Sequence, residues 1–311
     1  MTDWKATAPA NIALIKYMGK GPGNMALNPS LSYSSDKFFS VVTLEESCNR
    51  EDEIVSTHFG SQMHKPETDR FLEHLNRIKQ HYSYGGYFKI TTDNNFPPSC
   101  GLASSASSFA ALTKAASAAI CSLKKISTPS DLELANLSRM GSGSSCRSFF
   151  APWTIWDGDN VAKLDTHYDA ICHYVVVVEE TKKKISSSEA HKRVTSSNLF
   201  PGRVGRAKER YFDLLKAFSC QDWQKMYDIS WAEFWDMHAL FETSSPAFGY
   251  MSAATVAVLS IVRDYWEKHH NGPLVTLDAG PNIHLIFNES QDNVRLDLMS
   301  ELQEHYKIMG V

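Results

Sequence analysis

The segment ASSFAALTKAASAAICSL, residues 106–123, constrains the fold more than any other. Alanine is the strongest helix former, and a helix clothed mainly in methyl and hydroxyl groups has a small surface that packs closely against its neighbours. The chain just before it, FPPSCGLASSASS, has one glycine, no lysine and a crowd of serines, so a serine-rich loop feeds a helix N-terminus. Such a terminus presents unpaired N–H groups and about half a positive charge, which binds phosphate without a charged side chain. Gly101 lets the backbone approach an anion closely, while Ser104, Ser105 and Ser107 offer hydroxyls to phosphate oxygens or to a bridging Mg²⁺ ion. The loop matches neither GxxxxGK[ST] nor GxGxxG. Taken alone, it fits a capped helix without ligand as well as it fits a phosphate cradle.

With 311 residues the chain suits two lobes around a cleft, because single cores stop growing near roughly 250 to 300 residues. In the first part, ATAPANIALIKYMG, SVVTLEES and YFKITTDN read as strands, and TDRFLEHLNRIKQHY has helical spacing of its apolar residues. AICHYVVVVEE, apolar on both faces, opens a second sheet near residue 170. Helices at VGRAKERYFDLLKAF, DWQKMYDISWAEFWDMHALFE and AATVAVLSIVRDYWEKHH follow, then strands LVTLDAG and IHLIFN. This order excludes a helix bundle and a pure β-sandwich. The expected lobes are residues 1–169 and 170–311.

A net charge of -4 provides no bulk basic field for nucleic acid or anionic lipid. The start, MTDWKATAPANIAL, has neither the basic opening nor the apolar run of a signal peptide or membrane anchor. The six cysteines form no CxxC pair, which fits reduced thiols in the cytoplasm, with Cys100 and Cys146 as small packing residues. The histidines make no HExxH or zinc spacing, so transition-metal catalysis is not expected, and His238 reads as a satisfied structural residue.

Three further segments bear on the loop. RMGSGSSCRSFF forms a polar turn at Ser142, Gly143 and Ser144, followed by Arg147, whose planar fork matches a carboxylate or phosphate. NIALIKYMGK sets Lys16, Tyr17 and Lys20 beyond an apolar strand, facing either an anion or solvent. TLDAGPN puts Asp278 at a strand tip, either as a turn cap or as an acid/base.

Together these segments resemble the GHMP kinase superfamily, and within it the diphosphomevalonate decarboxylases. APANIALIKYMGK is similar to their opening motif, with Asn11, Lys16, Tyr17 and Lys20 in matching places. NPSLSYS, with Asn28, Ser30 and Ser32, resembles their N-x-S-[LI]-S segment. NNFPPSCGLASSASSFAAL resembles their phosphate loop, GSGSSCRS their serine–arginine turn, KKKISSSEAHKRVTSS their diphosphate segment, MHA a further short match, and TLDAGPN their aspartate motif. The matches run in family order from residue 8 to residue 282.

The resemblance implies an α+β, GHMP-kinase-like two-lobe fold, with a ribosomal-protein-S5-like N-terminal lobe and a ferredoxin-like C-terminal lobe around a deep cleft. It implies ATP-dependent decarboxylation of diphosphomevalonate, with Mg²⁺ as the ion and a homodimer as the assembly. By matching positions, Asp278, Lys16 and Arg147 carry the reaction. Tyr17, Lys20, Ser142, Ser144, Ser187 and Ser188 hold the substrate. Asn28, Ser30, Pro98, Gly101, Leu102, Ala103, Ser104, Ser105 and Ser107 hold the nucleotide, and Ser104 and Ser105 lie near the metal. The chain departs from the pattern in four places. Ser186–Ser188 stand where many bacterial members read SSR, Ala190–His191 where they read Gly-Met, Met18 where tryptophan is usual, and Leu240 where threonine is usual. The missing arginine leaves a phosphomevalonate decarboxylase open, and a kinase that stops at the phosphate ester is a second alternative.

Overall fold

A computed structural model describes residues 3–56, 65–96, 104–180 and 185–310. The first sheet contains β1 (Asp3–Ile15), β2 (Ser30–Glu46), β3 (Glu53–Ser56), β4 (Phe88–Asn94), β5 (Trp153–Asp157) and β6 (Asn160–Lys163), ordered β3-β4-β2-β5-β6 with β1 also paired to β2. The long β2 organises this sheet. One of its edges carries β1, and the other carries β5 at its start and β4 at its end, all antiparallel. Helices α1 (Lys65–His81), α2 (Ser104–Lys124) and α3 (Asp131–Arg139) complete the lobe.

The alanine-rich helix is α2, and it lies against β1 and β2 between α1 and α3. Ala106, Ala110, Ala115 and Ala119 are fully buried; larger side chains on this face would hold the helix off the sheet. Its length and apolarity would suit a membrane span, yet it is a core helix here. Ser107 is buried too. Its hydroxyl is engaged by Ser40 Oγ (2.6 Å) and by the Ser104 carbonyl, so it fastens α2 to β2.

The second sheet contains β7 (Ile171–Val177), β8 (Leu274–Thr276), β9 (Ile283–Asn288) and β10 (Lys307–Gly310), ordered β10-β7-β9-β8 with antiparallel neighbours. Around it lie α4 (Ser187–Arg193), α5 (Arg203–Ser219), α6 (Trp223–Glu242), α7 (Ala253–His269) and α8 (Asp292–Gln303). The mixed α+β, two-lobe architecture agrees with the sequence. The short elements β3, α3, β5, β6 and α4 were not read from the sequence, nor were α8, which buries only Leu298, Met299 and Leu302, and β10, whose four residues include none fully buried.

The first lobe has a core of its own, with Val42, Leu44, Phe71, Phe88 and Phe109, but a second hydrophobic cluster is shared by both sheets. Ile12, Leu14 and Ile15 of β1 and Trp153 of β5 join the cluster that holds Val176 of β7, Phe234 of α6 and Leu285 of β9. Thr276 Oγ1 of β8 donates to the Ala13 carbonyl of β1 at 2.8 Å. The end of β1 is therefore enclosed by both lobes, and Lys16 leaves it at their junction.

Candidate active site

The Lys16 backbone is clamped on both sides. Its N–H donates to Glu233 Oε1 of α6 (3.0 Å), and its carbonyl accepts from Arg203 Nη2 of α5 (2.8 Å) and from Asn28 Nδ2 (3.0 Å). Arg203 and Glu233 are wholly buried and paired with each other, and Asp236, Arg206 and Arg210 extend the network toward the surface. Charges this deep persist only when paired and hydrogen-bonded. Nothing in the sequence marks Glu233 or Arg203 as site residues, since they lie 217 and 187 positions from Lys16.

Lys16 Nζ, 2% exposed, meets Asp278 Oδ1 at 2.6 Å. Burial pulls the ammonium below the ordinary lysine pKa, and the Asp278 charge opposes that pull. On Asp278 burial works against ionisation, but Lys16, with smaller help from His284 and Arg147, holds the carboxyl below the usual carboxylate range. Across the 2.6 Å contact each charge favours the ionised form of the other. His238 of α6 lies beside it and hydrogen-bonds the Asp278 main chain; burial, then Lys16, push it down to about 3, so it is neutral. Its Nε2 has no partner among the described residues, so the expectation of a fully satisfied histidine is only half met.

Arg147 comes from the 3₁₀ segment Gly143–Phe149 and is 3% exposed. Nε and Nη2 donate to Asn11 Oδ1 (3.2 and 3.1 Å) and Nη1 donates to Ser30 Oγ (3.3 Å). Asn11 is itself fixed through Nδ2 by Ser148 Oγ (2.8 Å) and the Ser144 carbonyl (3.1 Å). The guanidinium lies over the rings of Tyr17 (5.5 Å) and Trp156 (5.8 Å). One N–H on each terminal nitrogen is left over, a fork suited to a carboxylate.

Tyr17 is wedged between Trp156 (centroids 5.0 Å, edge-on) and His191 (4.9 Å, stacked). Its hydroxyl faces Gly143, where an added Cβ would lie 2.6 Å from that oxygen. Beyond Tyr17 opens a cavity of about 490 Å³ lined by Lys20, Asn24, Arg70, Arg77, Gly141 and Ser188, among others. Burial, then Arg70, lower Lys20 to about 8. Arg70 and Arg77 had been visible only as the polar side of a helical pattern, which gives no sign of where that side faces.

The structure thus brings Lys16, Asp278, Arg147, Tyr17 and Lys20 into one region, with Ser142 and Ser144 in the turn beside Arg147 and the exposed Ser187 and Ser188 opening α4. Ser104 and Ser105 open α2, half-buried and exposed respectively. Three expectations for the nucleotide set change. Asn28 holds the Lys16 carbonyl, Ser30 touches Arg147, and Ser107 is sealed beneath α2, where no ligand reaches its hydroxyl. Pro98, Gly101, Leu102 and Ala103 lie outside the described residues, as do Cys100 and Lys182–Lys184. Cys146 is fully buried, donates to the Gly143 carbonyl and is pushed by burial up to about 12, so it is a packing thiol.

Residues 8–168 match the family model of the diphosphomevalonate decarboxylase-like N-terminal domain, and residues 173–309 match that of the mevalonate 5-diphosphate decarboxylase C-terminal domain. The chain belongs to the diphosphomevalonate decarboxylase family. It is 27% identical to the diphosphomevalonate decarboxylase of Candida albicans over 96% of this chain and 88% of that one. The crystal structure of a mevalonate diphosphate decarboxylase from Legionella pneumophila is 42% identical and superposes with a TM-score of 0.94 over 99% of this chain and 100% of that one. A structure of MDDEF in complex with MVAPP, AMPPCP and magnesium is 26% identical, with a TM-score of 0.88 over 99% of this chain and 95% of that one.

Most departures from the family pattern now have a physical account. Met18, Ala190 and Leu240 pack in one buried cluster with Val194, Met237 and Phe241, so Leu240 is core and Ala190 fills a space at 0% exposure. The serines at 186–188 start α4: Ser186 caps it by accepting from Glu189 N–H, and Ser187 and Ser188 are exposed. His191 remains, and its contacts are of another kind.

Proposed function

We propose that the chain catalyses the ATP-dependent decarboxylation of diphosphomevalonate to isopentenyl diphosphate, with ADP, phosphate and carbon dioxide as the other products. The observation that carries this reading is the ion pair of buried Lys16 with half-buried Asp278, beside an Arg147 fixed by Asn11 and Ser30. Asp278 orients the tertiary 3-hydroxyl and takes its proton as the hydroxyl oxygen bonds to the γ-phosphorus of ATP and the bond from that phosphorus to the bridging oxygen breaks, releasing ADP. Lys16 keeps the carboxylate ionised for that task. Arg147 holds the substrate carboxylate through its outward fork, aligning the C1–C2 bond with the departing phosphate on C3. The electrons of that bond become the new double bond, and the carboxylate leaves as carbon dioxide.

The cavity at Lys20 favours the diphosphate over the monophosphate. Lys20, Arg70 and Arg77 line it together with Ser188, and although Glu73 also lines it and pairs with Arg77, Lys20 and Arg70 supply charge where the 186–188 triplet lacks an arginine. In this reading residues 1–169 form the nucleotide-binding lobe and residues 170–311 the other wall of the cleft. The Ser104 and Ser105 hydroxyls at the start of a 21-residue helix fit a Mg²⁺ carried on the nucleotide, whose charge the ion offsets. No cluster of His, Cys, Asp or Glu suited to a metal occurs among the described residues, which fits an ion held mainly by phosphate. The unpaired cysteines support a reducing cytoplasm, and a homodimer follows the family resemblance.

Mevalonate, phosphomevalonate and diphosphomevalonate assayed in parallel with Mg-ATP test the reading. Release of ADP and carbon dioxide together, and with diphosphomevalonate alone, is the expected result. ADP without carbon dioxide would make the protein a kinase, and preference for phosphomevalonate would move it to the monophosphate.

A further inference from the structure

His191 lies on α4 of the second lobe, yet both of its specific contacts are with the first. Its ring stacks on Tyr17, centroids 4.9 Å apart at 28°. Its Nδ1 accepts from the Gly19 N–H at 3.1 Å. Gly19 is buried and sits at φ +94, a conformation that favours glycine, and an added Cβ there would lie 2.7 Å from Leu27 Cδ1, so the position is built for glycine. An amide left unpaired at such a place costs the fold its full desolvation penalty. Burial, with Lys20 and Arg147 nearby, lowers His191 to about 3, which keeps the ring neutral and Nδ1 able to accept.

The segment held in this way runs from Tyr17 to Lys20. Lys20 bridges back to Ala26 and lines the basic cavity, while Ser188, three residues before His191, lines the same cavity from α4. We propose that His191 is a positioning residue that latches the Tyr17–Lys20 turn of the first lobe to α4 of the second, and so sets the width of the pocket for the substrate's phosphate end. The inference rests on the substrate reading given above. The Lys16–Asp278 pair has a separate support in Glu233 and Arg203, so the latch governs substrate affinity and leaves the chemical step alone.

Two substitutions separate the acceptor from the bulk of the ring. Methionine, which the resemblance gives for many bacterial members, fills the space without a good acceptor, whereas asparagine places an oxygen close to the position of Nδ1. His191→Met is expected to raise the KM for diphosphomevalonate about tenfold or more with kcat within about threefold, and His191→Asn to stay within about threefold on both. A Met variant with wild-type KM, a loss confined to kcat, or an Asn variant as impaired as Met would overturn the proposal. Nitrogen NMR of histidine-labelled wild-type protein tests the latch without any variant or turnover. The proposal requires Nδ1 of His191 to be unprotonated and accepting at neutral pH, and a proton on Nδ1 sinks it. Wild-type protein that released no carbon dioxide would fail the substrate reading while leaving that tautomer result to stand.

Discussion

A lysine must be protonated to hold phosphate, and Lys20 keeps its proton less firmly than a surface lysine because burial and Arg70 lower it to about 8. The ammonium form is complete below that pH and is lost above it. The KM for the phosphorylated acid should therefore be flat below about pH 8 and climb up to about tenfold per unit above it. Arg70→Met, which removes the repelling charge, should move the break upward, as KM measured against pH will show. Asp278 acts on the other side of the reaction. Asp278→Asn should lower kcat by roughly 10²–10⁴-fold while nucleotide binding, read by calorimetry, stays close to wild type. Arg147→Lys should also lose most turnover, because a point charge reproduces neither the bonds to Asn11 and Ser30 nor the outward fork; wild-type-like turnover would refute the clamp.

Elements differ in how plainly their sequences announce them. Helix α2 was legible because alanine permits few other structures, and β7 because an unbroken apolar run fits a strand buried on both faces. Lys16, Arg147 and Asp278 were legible through short local motifs. Glu233 and Arg203 were not, because on α6 and α5 they look like ordinary polar positions, and their role arises only when both helices close on β1. This clamp gives an element-level prediction. Glu233→Ala leaves Arg203 buried without its main partner and frees the Lys16 N–H, so stability should fall by about 3–5 kcal/mol, measured by urea denaturation. Glycine at 143 was likewise legible only as part of a polar turn, whereas here it leaves clearance for Tyr17. Gly143→Ala should displace that ring and raise the substrate KM with little change for ATP.

At the scale of the whole molecule, the first sheet keeps a core of its own but shares part of its interior with the second. The end of β1 and Trp153 belong to the same packed cluster as β7, α6 and β9, and Thr276 ties β8 to β1. Two lobes were expected, and this shared packing was not, because hydrophobic patterning reports that a face is buried without naming what covers it. Heating should therefore produce one cooperative transition, with equal calorimetric and van't Hoff enthalpies, despite the two lobes. Thr276→Val, which strands the Ala13 carbonyl, should lower stability by about 1–3 kcal/mol in urea without splitting that transition.

The common interior also decides what can be exchanged between relatives. A chimaera joined in the stretch 164–170 would bring together a β1 end shaped by one ancestor and a cluster shaped by another, and the misfit would fall beneath Lys16. The inheritable module in this architecture is a lobe together with the strand tip it encloses, so grafts that carry residues 12–16 along with the second lobe should remain soluble where simple half-for-half swaps precipitate.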